Sequence, residues 1–115
     1  MDPKFALAYD GLAYYYNLML DWLEPASEAG PKALDAARKA IELDPRLPDA
    51  YVELASTHLF YTFDWAASEA AFSRAFELNP RYAPAWEYHG WYLTAMGRRD
   101  QALESMKKAE ELDPL

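Results

Sequence analysis

An acidic or amide residue followed by proline recurs four times in this 115-residue chain: Asp2-Pro3, Asp44-Pro45, Asn79-Pro80 and Asp113-Pro114. Successive prolines stand 42, 35 and 34 residues apart. Proline has no backbone N–H and drives the residue before it out of the helical region. Each pair is therefore expected to end one helix and open a turn. A repeat of this length implies similar units that bury their apolar faces by stacking on one another.

Between these marks the apolar pattern is helical. In the third unit Trp86, His89, Gly90 and Leu93 share one face at i, i+3, i+4, i+7. Gly97 then suits a left-handed helix C-terminus. A second stripe carries Ala102, Met106, Ala109 and Leu112, so the spacing predicts antiparallel helices over about 83–96 and 99–112. Tyr51, Leu54, Ala55 and His58, then Phe72, Ala75 and Leu78, repeat the plan, with one extra residue near Phe63-Asp64 and Asp64 as an N-cap. The first unit offers Tyr9, Leu12, Ala13 and Tyr16, then Ala33, Ala37, Ala40 and Leu43. Its inner connection, about 21–31, is longer. There Trp22 and Leu23 are expected to fold back onto the repeat, and Gly30-Pro31 to cap, kink or interrupt the start of the second helix.

The pattern Trp86-x2-His89-Gly90-x2-Leu93, then Ala102-x3-Met106-x2-Ala109-x4-Pro114, resembles the tetratricopeptide repeat. The family usually has Leu where His89 stands, Tyr where Leu93 stands and Ala where Ser68 stands. The resemblance implies an all-α fold of about six helices, three repeats (about 6–45, 48–80 and 83–114) stacked as a right-handed α-solenoid over residues 1–115. A narrower likeness, through Glu24-Pro25, Phe63-Asp64-Trp65 and Phe76-Glu77-Leu78-Asn79-Pro80, is to repeat regions of bacterial signalling proteins. Those regions often follow a serine/threonine kinase, a winged-helix regulator or a nucleotide cyclase. It implies a piece of a longer protein.

The formal charge of −8 opposes binding to nucleic acid or to an anionic membrane surface. No run of about 18 apolar residues is present, and Met1 to Lys4 lack the apolar segment of a secretory signal, so a cytoplasmic protein is expected. There is no cysteine, and two histidines alone would leave zinc short of ligands. Without a nucleophile elbow or a glycine-rich phosphate loop, no catalytic residue, metal or cofactor is expected. His58 and His89 fall on the packing stripe and are read as buried and hydrogen-bonded.

By resemblance, the first helix of each repeat lines a concave groove. That face takes Asp10, Tyr14, Asn17 and Leu18 from the first repeat, Asp49, Val52, Ser56, Leu59 and Phe60 from the second, and Glu87, Trp91, Thr94 and Ala95 from the third. All eleven Lys and Arg residues lie outside the expected first helices (about 6–20, 48–61 and 83–96), which carry Asp10, Asp49, Glu53 and Glu87. A groove of this kind favours an apolar peptide or protein partner with basic residues, anchored on Tyr14, Phe60 and Trp91. Repeat domains that grip the carboxylate of chaperone tails use a Lys/Asn/Arg clamp. Here Asp10 and Tyr14 occupy two of the places that clamp needs, and a carboxylate would be repelled. The competing expectation is self-association, a homo-oligomer formed by stacking through exposed repeat ends.

Overall fold

The computed structural model describes residues 3–19 and 25–114. They form six α-helices: α1 (Pro3–Met19), α2 (Ala26–Leu43), α3 (Pro48–Thr57), α4 (Trp65–Leu78), α5 (Ala83–Ala95) and α6 (Arg99–Leu112). Helices pair as α1·α2, α3·α4 and α5·α6, and the three hairpins stack in chain order as an α-solenoid. Trp22 and Leu23 lie outside the described residues.

The Asp/Asn-Pro steps act as the sequence implies. Asp44, Asn79 and Asp113 each follow a helix in extended conformation, with φ of −145°, −152° and −143°. Asp44 Oδ1 accepts from the Arg46 N–H at 3.0 Å, and Asn79 Oδ1 from the Arg81 N–H at 3.0 Å. These short side chains therefore close the turn that follows. The next helix starts with proline in its first two positions, at Pro48 and Pro84. An aromatic donor then reaches back to each turn: Tyr51 Oη donates to the Pro45 carbonyl at 3.0 Å, and Trp86 Nε1 to that of Pro80 at 2.8 Å.

The first repeat departs from expectation. α2 begins at Ala26 and runs through Gly30-Pro31 without interruption, so the connection is shorter than 21–31. Pro31 is exposed and lies near the start of α2, where its fixed φ suits a helix. Gly30 is buried because the Tyr61 ring lies against its backbone, leaving no space for a side chain. α1 also begins earlier than expected, at Pro3, which brings Lys4 into a first helix.

The extra residue of the second repeat is absorbed inside the helix. After Thr57 the chain widens into a π-turn, His58–Thr62, and ends at Phe63 in left-handed conformation with φ of 54°. Asp64 then caps α4, accepting from the Ala67 N–H at 3.1 Å. His58 is buried with Nδ1 2.8 Å from Thr62 Oγ1, and burial lowers its pKa. His89 is stacked on Tyr92 and set edge-on to Phe72 and Phe76. Its Nε2 lies 3.2 Å from Glu69 Oε2, so it meets a carboxylate as well as rings. The core runs through both seams: Phe72, fully buried in α4, meets Tyr92 and Leu93 of α5, while Leu54 of α3 packs on Ala13, Ala36 and Ala37 of the first repeat.

Candidate protein-binding surface

The expected groove positions separate into three groups. Tyr14, Leu18 and Phe60 are exposed by 47%, 45% and 46%, enough to meet a ligand. Glu87, Trp91 and Thr94 are exposed too, and the first two line a groove between α5 and α6 with Met106 and Ala109. The expectation fails for Val52, Ser56 and Leu59, each no more than 3% exposed. Val52 packs against Ala75 and Ala85, and Leu59 joins the Phe72–Tyr92 cluster. Ser56 Oγ donates to the Val52 carbonyl at 2.9 Å. α3 is the central first helix and α5 lies along its flank, so side chains that point halfway toward the next repeat are closed off.

Asn17 is likewise a seam residue. Its Nδ2 donates to Glu53 Oε2 at 2.8 Å and to the Glu53 carbonyl at 3.2 Å, while its Oδ1 accepts from Thr57 Oγ1 at 2.9 Å. One amide thus joins α1 to α3. Across the next seam Tyr82 Oη donates to Asp49 Oδ2 at 3.0 Å.

These bonds hold Asp49 and Glu53, and Asp10 lies close enough for its charge to act on Glu53, which brings three carboxylates together. Glu53 is 8% exposed, and burial pushes its pKa up to about 7; the Asn17 hydrogen bond opposes the rise, and Asp10 and Asp49 add to it. Asp10 is pushed up to about 6 by burial and then by Asp49, and its Oδ1 is buried with no donor beside it among the described residues. Tyr88 is pushed up to about 12 by burial and then by Glu53, and Tyr82 is raised by burial and then by Asp49. Apart from Lys4 in the first turn of α1, the described residues of α1, α3 and α5 carry no Lys or Arg. The face is acidic, partly dehydrated and aromatic at its edges.

The sequence counts Glu53 among the first-helix carboxylates but not among the groove positions, and Tyr82 and Tyr88 are in neither set. Glu53 stands one residue past Val52, the position assigned to the groove, and only the Asn17 bond draws its carboxylate into the seam. A helical wheel carries no signal for that. No cluster of three or more His, Asp or Glu side chains with metal-holding geometry occurs among the described residues. No described helix is long and apolar enough to cross a membrane.

No family model matches this chain. It is 30% identical over 115 residues to the transcriptional regulator HilA of Salmonella typhimurium, a match covering 99% of this chain and 21% of HilA. The HilA proteins of Salmonella typhi and Salmonella paratyphi A match to the same extent. The chain thus spans about a fifth of the length of these curated relatives. Among solved structures, the first TPR of Spaghetti (RPAP3) bound to the HSP90 peptide SRMEEVD aligns with a TM-score of 0.76 at 23% identity, covering 99% of this chain and 83% of that one. The crystal structure of MamA aligns with a TM-score of 0.68 at 26% identity, covering 98% and 61%. With the Asx-Pro turns and the paired helices, these likenesses identify the fold: the chain folds as a tetratricopeptide-repeat array.

Proposed function

We propose that the chain is a protein-interaction module that takes a peptide or protein segment bearing apolar and basic side chains along the face formed by α1, α3 and α5. The observation that carries this reading is the carboxylate cluster of Asp10, Asp49 and Glu53, with Asp10 and Glu53 dehydrated, which has no Lys or Arg on α1, α3 or α5 among the described residues except Lys4 and is flanked by exposed Tyr14, Leu18 and Phe60. A lysine or arginine brought against it would meet unscreened negative charge, and apolar side chains would cover the rings. The peptide-bound RPAP3 neighbour supports use of this fold for peptide capture. The likeness to a segment of HilA supports a place within a larger bacterial regulatory protein, working in the cytoplasm. We read the module as non-catalytic, and its net charge of −8 as excluding nucleic acid from its partners.

The test is selection of a displayed random-peptide library against the wild-type domain, with Tyr14→Ala and Phe60→Ala as counter-targets. Enriched peptides are expected to combine apolar residues with Lys or Arg and to bind both variants at least about tenfold more weakly, the loss of one anchor. Enrichment of acidic peptides, or equal binding to the variants, would overturn the reading.

A further inference from the structure

The two ends of the array carry matching halves of one seam. First helices correspond at offsets of 42 and 35 residues, second helices at 35 and 34, as the proline spacing sets. Ala50, Leu54 and Thr57 of α3 face the repeat before them. Ala50 is wholly buried, Leu54 packs on Ala13 and Ala37, and Thr57 bonds Asn17. Their counterparts in α5 are Ala85, on Val52 and Ala75, and His89 and Tyr92, both on Phe72. In α1 the same positions are Ala8, Leu12 and Tyr15, and all three are exposed.

The receiving side is open at the other end. On the second repeat, α5 covers Val52, Phe72 and Ala75. The third-repeat counterparts, Glu87, Met106 and Ala109, line the groove of about 410 Å³ between α5 and α6, beside Trp91. This groove is the third repeat's version of the place that α5 fills on the second.

A second correspondence is independent of the first. Glu69 of α4 reaches into a pocket of the third repeat that includes Trp86, His89 and Leu93 and meets His89. The first-repeat version of that pocket is formed by Tyr9, Leu12 and Tyr16, with Lys32, Asp35 and Lys39 at its edge. The counterpart of Glu69 in α6 is Leu103, 56% exposed. Where the inner seam pairs carboxylate with imidazole, the exposed faces of α1 and α6 offer leucine to leucine.

We propose that this chain stacks head to tail on a second copy of itself. The outer face of α1 in one copy enters the groove between α5 and α6 of the other, and Leu103 of the receiving copy closes on the pocket around Leu12. The contact is heterologous, so each copy keeps one unused half and assembly proceeds past the dimer. It uses the outer face of α1 and the α5–α6 groove, which includes Glu87 and Trp91 but neither Tyr14 nor Phe60, so variants at Leu12 and Leu103 test it apart from peptide binding.

The experiment is analytical ultracentrifugation of the wild type, of Leu12→Asp and of Leu103→Asp, with circular dichroism to establish helical folding; both residues are exposed enough to change without opening the core. Wild-type weight-average mass is expected to rise with concentration past the dimer value. Each variant alone is expected to remain monomeric. Mixed in equal amounts they should form a capped pair that grows no further, because one retains a working α1 face and the other a working groove. A wild type that is monomeric at millimolar concentration overturns the proposal. So do variants that assemble alone, or a mixture that stays monomeric while the wild type assembles.

Discussion

The side chain of Glu53 is hydrogen-bonded by Asn17 and otherwise faces the carboxylates of Asp10 and Asp49. Its ordinary pKa is 4.5, and the fold raises it to about 7. Between those values the folded chain holds a proton that the unfolded chain has released. The stabilisation is therefore fully present below about pH 4.5 and is lost as pH rises through about 7. For so enclosed a group the loss is roughly 3 kcal/mol, before other carboxylates contribute. Glu53→Gln keeps an acceptor for Asn17 and removes the charge. It is expected to equal the wild type near pH 4.5 and to exceed it by about 2–3 kcal/mol at pH 8. Urea unfolding at the two pH values measures this. A wild type and variant that change in parallel would mean that Glu53 does not hold the proton. The groove residues differ in how readable they were for the same local reason. Tyr14 and Phe60 are large, and their side chains emerge wherever the helix turns. Val52 and Ser56 are small, and their exposure depends on how near α5 approaches, a distance absent from periodicity.

At the scale of the element, helix ends were more legible than helix interiors. Asx-Pro steps and Gly97 act through their own backbone, so α5 and α6 lie within a residue of the predicted 83–96 and 99–112. The π-turn was not legible, because an extra residue can widen a helix or lengthen a turn with the same composition. Nor was the start of α2. Proline near a helix start is compatible with helix or loop, and the deciding contact comes from Tyr61, more than 30 residues away in sequence. Gly97 and Phe63 both end helices at positive φ, 75° and 54°, but Phe63 carries a side chain there. Phe63 is 60% exposed and touches the Trp65 ring edge-on at 5.7 Å between centroids. Left-handed backbone disfavours a β-carbon by roughly 1 kcal/mol, partly offset by the greater unfolded-state freedom of glycine. Phe63→Gly is expected to stabilise the chain by about 0.5 kcal/mol, and Gly97→Ala to destabilise it by about 1 kcal/mol. Thermal melts give both signs. A destabilised Phe63→Gly would mean that the Phe63–Trp65 contact outweighs the backbone cost.

The whole molecule shares its fold with a domain whose structure contains the HSP90 peptide SRMEEVD, yet its charge argues for the opposite ligand. Fold similarity carries over the curvature of the first helices but not the side chains on them. Here that face holds Asp10, Asp49 and Glu53, and the chain bears a net charge of −8. SRMEEVD would bring its carboxylates against a surface already raising its own pKa values, whereas the charge-inverted SRMKKVK would place ammonium groups there. An ammonium group favours the ionised carboxylate, so binding SRMKKVK should expel the protons that Asp10 and Glu53 retain near pH 6 and 7. Its affinity is expected to rise about tenfold between pH 5 and pH 8, which is about one proton released across part of that range. Added salt should weaken it, since part of the attraction acts through solvent. SRMEEVD is expected to bind no better than a scrambled neutral peptide at any of these conditions. Fluorescence anisotropy with the two labelled peptides separates the cases. Preference for SRMEEVD would mean that shape rather than charge governs this face, and a pH-independent SRMKKVK would mean that its lysines contact other carboxylates than Asp10 and Glu53.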